Sequence, residues 1–385
     1  MPDMNPRAWH RKASRPVSVW MAVFVLAGLA HPWLPNATWL LVHIFTLGIL
    51  ANSIVLWSQN LTERFLGQRL DDAARPAQLA RTYALNAGIV LVLVGATWAG
   101  ALVVAVVLAW HAWALFTQVR TASRRHPAPT AFLLSACCLP VGALFGAALA
   151  QGLPGPWQGA VRQAHIVTNV GGFVGLAAMG ALSVLFPAMW RTRGHDRAGL
   201  AVWLGLGGVV VAVAGSLGRA DWVVAAGVLV VVAGWVWLAQ GFVVNALRGT
   251  ASYPGLSALC AVAWLIGGLT WFAVRLLRRD AEAPVLPLLV GFAGQLLIGT
   301  MSYLMPTTMG GGPAAVKAGL RELNRGTWTR VVLCNAGLAV WLAAGNSLVR
   351  IAASLVSVGA LVAFLPLLGR AVKAQVGVIK AARRG

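Results

Sequence analysis

Apolar runs about 20 residues long recur from Trp20 to Leu368, and each is long enough to cross roughly 30 Å of hydrocarbon. Only 10% of the 385 residues are charged, whereas a soluble globular domain carries about 25%. The sequence therefore predicts an all-α membrane protein with about twelve transmembrane helices. The predicted spans are 16–35, 38–58, 81–98, 100–119, 129–151, 160–189, 199–217, 221–246, 254–277, 284–306, 328–346 and 349–369.

The basic residues indicate how the chain is oriented, because Lys and Arg concentrate on the cytoplasmic side of membrane proteins. The predicted tails and connections place 24 of them on one side and six on the other. This split predicts that both termini are cytoplasmic and that the chain is a multi-pass protein of a bacterial inner (cytoplasmic) membrane. It also explains the net charge of +21, so the expected partner is the lipid bilayer and not a nucleic acid.

A sequence match about four helices apart indicates an internal repeat. The segment GFVGLAAMGALSVLFP at 172–187 agrees with GFAGQLLIGTMSYLMP at 291–306 in seven of sixteen positions, at an offset of 119. The chain is therefore predicted to contain three pseudo-repeated four-helix units, at 1–125, 126–250 and 251–385, within one membrane domain. An even number of helices per unit gives all units the same orientation, as in parallel repeats.

Two histidines occur in the same short context. His43 begins HIFT near the outer end of the second span, and His165 begins HIVT near the outer end of the sixth. Ionisable residues within a membrane are costly and mark functional sites by default. A neutral imidazole can ligate haem iron or another metal, so the pair is predicted to bind one haem. The sequence has no CxxCH, which favours a non-covalently bound haem b over an attached haem.

Other residues are candidates to support this site. Thr46 and Thr168 follow the two histidines by three residues and are expected to fix the rings by hydrogen bonding. Arg162 lies one turn outward from His165, where a haem propionate would need a cation. His31, at the outer end of the first span, is a candidate third metal ligand for copper, with an interfacial position as the alternative. His111 in the fourth span is interpreted as structural.

The acidic residues argue against one class of function. All nine, Glu63 among them, are predicted to lie in loops or tails, whereas proton-coupled carriers usually hold a carboxylate within the membrane. Pro284 stands where the repeat would place a third histidine. A proton pump is therefore not expected.

The predicted architecture and the two histidines resemble subunit I of the haem-copper oxidases. The chain is also similar to the NnrS family, membrane proteins associated with haem, copper and nitric-oxide stress. The segments HIFTLGILANSIVLWSQ and GQLLIGTMSYLMP resemble membrane modules found beside or fused to bacterial copper oxidases and nitrite reductases. The oxidase resemblance implies that His43 binds a low-spin haem and that His165 belongs to a copper centre.

The resemblance has a limit in the ligand count. The oxidase family's histidine pair on its seventh helix and its two histidines on its tenth helix have no counterpart here. The chain is therefore not expected to be a complete terminal oxidase. If it is an enzyme at all, it is an oxidoreductase component.

Three functions fit these observations. The first is haem-based electron transfer or a redox or nitric-oxide response, with quinol and a periplasmic or fused copper redox protein as partners. The second is a transporter or metal-handling permease without haem. The third is a structural membrane subunit without a cofactor.

The orientation can be tested with a reporter enzyme that is active only outside the cytoplasm. Fused after Gly385, the reporter is expected to be inactive, because the charge split places the C-terminus inside. The same reporter inserted after Arg219, in a predicted outer connection, serves as the positive control. Activity of the C-terminal fusion would contradict the predicted number of spans.

Overall fold

The computed structural model describes residues 6–68, 70–280 and 282–382. The chain is 86% helical, and no strand occurs among the described residues. The long helices of its first half are α1 (Pro6–Ala30), α2 (Ala37–Leu66), α3 (Arg75–Leu93), α4 (Thr97–Thr121), α5 (Pro127–Ala150) and α6 (Trp157–Trp190). Those of its second half are α7 (Ala198–Leu217), α8 (Asp221–Arg248), α9 (Tyr253–Leu277), α10 (Pro287–Met309), α11 (Gly312–Leu323), α12 (Thr327–Ala343), α13 (Ser347–Val362) and α14 (Phe364–Ala381).

Ten helical segments of the described chain are long and apolar enough to cross a membrane. This confirms the prediction of a helical multi-span membrane protein, and it indicates that the outer faces of the helices contact lipid. The other two predicted spans correspond to α3 and α12, which are helical but not among the ten. The count of twelve spans stays a prediction.

The predicted loop at 59–80 is largely helical, which is a correction. Helix α2 runs to Leu66 and ends at Gly67, whose φ of +68° is a left-handed conformation that glycine adopts without strain. Helix α3 already begins at Arg75. Glu63 therefore lies inside a candidate span, and the prediction that every acidic residue lies in a loop or tail is wrong.

The C-terminal third contains two helices that hydropathy did not predict. Helix α11 is short and carries basic residues, and α14 continues the chain beyond α13 after a break at Ala363. The two helices pack on each other. Gln375 of α14 is fully buried and donates to the carbonyls of Pro306 (2.9 Å) and Gly310 (2.8 Å), which ties α14 to the end of α10.

The chain forms two compact units. The first consists of Met1–Ser183, Asp196–Leu238 and Phe272–Ala283. The second consists of Val184–His195, Ala239–Trp271 and Pro284–Gly385. The two candidate histidines both belong to the first unit.

Three helices share an uncommon backbone irregularity. Helices α2, α6 and α10 contain π-helical segments at Ile44–Ala51, Val167–Gly175 and Pro287–Gly294. Such segments are rare and are frequent at functional sites. They fall in the three helices that the predicted repeat treats as counterparts, and they begin 123 and 120 residues apart.

Two of the three π-helical segments, those of α2 and α10, have the same side-chain arrangement around them. In the first unit, Gly48 faces the Trp20 indole, whose Nε1 donates to Asn86 Oδ1 over 2.6 Å. In the second, Gly291 faces Trp264, whose Nε1 donates to Asn335 over 2.7 Å. The three-unit repeat stays a prediction. In α6, Gly172 faces Cys138 and Val209 instead, so the middle repeat lacks the Trp–Asn pair.

The glycine–indole contacts give a packing prediction. A Cβ at Gly48 would lie 2.7 Å from Trp20 Cδ2, and one at Gly291 would lie 2.6 Å from Trp264 Cγ. Gly48→Ala and Gly291→Ala are each expected to lower the free energy of unfolding by about 1–3 kcal/mol, because the indole must shift in a packed interior.

The matched controls are Gly28→Ala for the first unit and Gly267→Ala for the second, since a Cβ at either position meets no atom within 4 Å. Both controls are expected to be neutral or to stabilise by up to about 1 kcal/mol through helix propensity. Unfolding in mixed detergent micelles measures all four. An equal loss of stability in all four variants would contradict the close glycine–indole contacts.

Candidate functional site

His43 is the last residue before the π-helical segment of α2. Its Nδ1 lies 2.7 Å from the carbonyl oxygen of Trp39, one turn earlier. Its ring also stacks on the Trp39 indole, with centroids 4.3 Å apart and an interplanar angle of 28°. The backbone carbonyl and the indole together hold the imidazole in one orientation.

His165 occupies a similar place in α6, two residues before its π-helical segment. Its Nδ1 lies 2.9 Å from the carbonyl oxygen of Gly142 on α5. Glycine is required beside it, because a Cβ at Gly146 would lie 2.9 Å from His165 Cε1. Asn169 donates to the His165 carbonyl over 2.9 Å, and its amide nitrogen lies 3.2 Å from Nδ1 and 3.5 Å from Nε2.

These bonds favour the same tautomer in both rings. A carbonyl oxygen only accepts, so each Nδ1 must carry the ring proton, and each Nε2 then presents a lone pair. A metal-ligating histidine usually donates its other ring N–H to a carbonyl or carboxylate in this way. The rings of His43 and His165 interact electrostatically. That they share one ligand stays a prediction.

The two threonines do not orient these rings as expected, which is a correction. The Thr46 hydroxyl donates to the carbonyl of Val42 over 2.8 Å, a local bond within its own helix. Thr168 is buried, and its hydroxyl has no hydrogen-bond partner among the described residues. The acceptors that hold the rings are the backbone carbonyls of Trp39 and Gly142.

His31 and Arg162 are both exposed. His31 lies in a 3₁₀ turn after α1, and its Nδ1 lies 2.8 Å from the Gly28 carbonyl. Arg162 lies on α6 one turn before His165. Among the residues that the structure describes, no group of three or more His, Cys, Asp or Glu side chains is arranged to hold a metal ion.

Arg275, near the end of α9, is paired with two carboxylates. Its guanidinium lies 2.6 Å from Asp280 and 3.1 Å from Glu282. Hydrogen bonding to Arg275 lowers the pKa of the Asp280 carboxyl, so this pairing weakens only as the pH falls through that lowered value. Arg162 is therefore a better candidate than Arg275 to meet a propionate.

A buried ion pair lies in the same unit, where the sequence predicts a loop. Both carboxylate oxygens of Glu63 accept from Arg75, each over 2.9 Å, and both residues are 8% exposed. Gln59 and Gln78 donate to the same carboxylate, over 3.4 and 3.5 Å, and the Arg75 guanidinium lies over the Trp9 ring. Two charged groups can be buried in this way only when each is paired, as Glu63 and Arg75 are here.

A second polar cluster lies deeper between α2, α3 and α4. Arg81 is 5% exposed and lies over the Trp110 ring, 5.4 Å from its centroid. It interacts electrostatically with His111, which is 2% exposed and lies 3.0 Å from the Ser58 hydroxyl.

A sequence signal existed for Arg81. RTYALNAG at 81–88 and RVVLCNAG at 330–337 share Arg, Asn, Ala and Gly at the same spacing.

Comparisons with known proteins do not assign the chain to a family. No family model matches it, and no curated protein matches it either.

Because Glu63 and Arg75 are buried, we expect the stability of the protein to depend strongly on their remaining paired. Arg75→Met is expected to lower the free energy of unfolding by about 3–5 kcal/mol, because Glu63 is left charged and buried. The double variant Glu63→Gln, Arg75→Met should recover most of this loss, since it leaves no unpaired charge.

Arg275→Met breaks the more exposed pairing, whose carboxylates Asp280 and Glu282 are 47% and 84% exposed. It should cost much less stability than Arg75→Met, because water already solvates these carboxylates. Unfolding in mixed detergent micelles compares the variants. A double variant as unstable as Arg75→Met would show that the charge of Glu63 is not the cause.

Proposed function

We propose that this chain is a multi-pass protein of a bacterial inner membrane in which His43 and His165 bind one haem b for electron transfer. The observation that supports this most strongly is that Nδ1 of each ring lies within hydrogen-bonding distance of a backbone carbonyl. The two rings also interact electrostatically. The lone pair of each Nε2 is then available to an iron between them.

The residues present fit a bis-histidine haem in their chemistry. Two neutral imidazoles are suitable axial ligands, and their carbonyl partners hold the rings against rotation. Gly146 lets α5 approach the His165 ring, and Gly142 lets it approach Asn169, whose amide lies beside that ring. Exposed Arg162, one turn outward, can pair with a propionate at the membrane surface.

When bound, such a haem supplies a reversible one-electron redox couple. The protein's own part is to fix the two rings, to keep them neutral and to surround the site with apolar helices. Quinol is the proposed electron donor, and a periplasmic or fused copper redox protein is the proposed acceptor. The proposed chemistry resembles that of the haem-copper oxidase and NnrS families, without the ligands of a binuclear centre.

A variant of this proposal has an open haem. If only His43 ligates the iron, a nitric oxide molecule can occupy the opposite side, and His165 is free to hold copper with His31. The bis-histidine version is favoured because the Nδ1 atoms of both rings are engaged in the same way.

One observation favours the second candidate function, a transporter or metal-handling permease. Glu63, Arg75, Arg81 and His111 place buried polar and charged groups between the helices of the first unit. Buried charges within a membrane protein often mark the path of a substrate or ion. A reduced-minus-oxidised absorbance spectrum separates the two functions, since only a haem protein gives a Soret band.

The haem proposal is tested by removing one ligand at a time. His165→Ala, purified with haem supplied during expression, is expected to change a low-spin spectrum to a high-spin one, because the iron loses an axial ligand. His43→Ala is expected to do the same. His31→Ala, which alters an exposed histidine of the same unit, is the control and should leave the spectrum unchanged.

The outcomes distinguish the versions. In the open-haem version, His165→Ala leaves the spin state unchanged and His43→Ala removes the haem. Wild-type protein that folds, as shown by helical circular dichroism, and still lacks a Soret band would refute both versions.

A further inference from the structure

A cavity of about 260 Å³ lies at one end of the first unit, where α2 and α4 end and α5 begins. Leu66, the last residue of α2, and Val119, near the end of α4, form part of its wall. The connection between α4 and α5 lines it with Arg124, Arg125 and His126. All three helices are candidate spans, so their common end is expected at the boundary between membrane and water. The charge split predicts that this is the cytoplasmic boundary.

The two arginines give the cavity a positive charge that no neighbouring carboxylate offsets. Neither Arg124 nor Arg125 forms an ion pair within the described part of the chain. The sequence has no acidic residue from 73 to 195, and Glu63, near the end of α2, is held by Arg75. Two like charges on adjacent residues repel each other, so an anion bound beside both would be stabilised.

His126 adds a neutral donor to these charges. Its Nδ1 accepts from the backbone N–H of Ala128 over 3.1 Å, so the proton of the ring is on Nε2. The ring also stacks on Phe65, with centroids 5.2 Å apart and an interplanar angle of 24°, which holds it in place. Pro127 and Pro129 have no N–H, so the first three residues of α5 offer no free backbone donor. Side chains must therefore supply the hydrogen bonds to a ligand.

The rest of the wall is partly apolar, which restricts the class of ligand. Thr130 provides a hydroxyl, whereas Leu66, Val119 and Pro127 are apolar. The volume is below the roughly 300–1,000 Å³ of sites for drug-sized ligands, so it suits one small charged group. A phosphate is such a group, and arginine donates to its oxygens in pairs. A phosphate ester also gains from contact with the apolar wall, whereas a fully hydrated inorganic ion does not.

An exposed apolar surface continues from the cavity along α4. Phe116 lies one turn before Val119 and is 38% exposed, and Trp113 lies one turn earlier and is 63% exposed. The centroids of the two rings are 5.6 Å apart. Exposed aromatic residues near the ends of membrane helices are typical of the interface at which lipid headgroups lie. A lipid whose phosphate occupies the cavity can therefore place its acyl chains on this surface.

We propose that this cavity binds the phosphate of an anionic phospholipid through the side chains of Arg124, Arg125, His126 and Thr130. The guanidinium groups pair with the charge of the phosphate, and the imidazole N–H and the hydroxyl donate to its remaining oxygens. A zwitterionic lipid is disfavoured, because its ammonium group would lie beside two arginines. The cavity lies at the other end of α2 from His43, so this proposal does not depend on the haem.

The first experiment measures thermal unfolding of the delipidated full chain in detergent at constant ionic strength. The added probe is phosphatidylglycerol, phosphatidylethanolamine or inorganic phosphate. The wild-type midpoint is expected to rise by about 2 °C for each tenfold increase in phosphatidylglycerol above its dissociation constant, and not to rise with the other two. The double variant Arg124→Gln, Arg125→Gln should begin this rise only at a roughly 30-fold higher concentration, since two cations near an anionic headgroup are lost.

The matched control is the double variant Arg64→Gln, Arg120→Gln. It removes the same charge from exposed residues at the same ends of α2 and α4, outside the cavity, and should behave as wild type. Equal weakening in both double variants would show that net charge alone attracts the lipid, and it would overturn the site. The lipid would be overturned as the ligand if the wild-type midpoint did not respond to phosphatidylglycerol, or responded as strongly to either of the other probes.

Native mass spectrometry gives a second readout that does not depend on stability. Wild type is expected to retain one phosphatidylglycerol molecule at concentrations where the Arg124→Gln, Arg125→Gln variant retains none. Thr130→Val removes only the hydroxyl and should weaken binding by roughly two- to tenfold, the effect of one hydrogen bond. Equal retention of phosphatidylglycerol by wild type and the arginine variant would overturn the proposal.

Discussion

A polar group inside hydrocarbon has no water to bond with, so it must find its partner within the protein. This constraint is most severe where α2, α6 and α10 leave the regular α-helical pattern. Side chains supply some of the bonds there: Asn52 donates to the Gly48 carbonyl over 2.9 Å, and Ser135 of α5 donates to the Phe173 carbonyl over 2.6 Å. The π-helical segments persist because neighbouring residues satisfy them, and the packing of the surrounding helices follows from that.

The position of the two histidines depends on the same irregularity. Each extra residue in a helical turn rotates the following residues by about 100° relative to those before it. His43 and His165 lie just before such a segment. The direction in which each ring points is therefore independent of the direction in which later residues of the same helix pack. Deeper in α2, Gly48 lets an indole approach the backbone, and the Trp20–Asn86 bond closes that contact. A rigid, close-packed base below a pair of oriented rings is the arrangement that a preorganised metal site needs.

Much of the fold could be predicted from the sequence, since apolar runs of span length leave a membrane chain few alternatives. The end of α2 could not, because Gln59, Asn60 and Glu63 look like loop residues until Arg75 is known to pair with Glu63. The repeated HIxT context singled out both histidines as candidates. Spacing alone could not show that Thr46 bonds within its own helix, or that a carbonyl on α5 holds His165. Arg81 taken alone looks like a topology signal, and only the match of RTYALNAG with RVVLCNAG distinguishes it.

Counting donors and acceptors separates the two candidate ligands from another buried histidine of the same unit. At His43 and His165 each ring Nδ1 lies against a backbone carbonyl, so each Nε2 keeps a lone pair and the missing partner is a Lewis acid. At His111 the Ser58 hydroxyl lies 3.0 Å from Nε2, and Nδ1 is buried without a hydrogen-bond partner among the described residues. His43 and His165 therefore have the arrangement that a metal-ligating histidine usually has, and His111 does not.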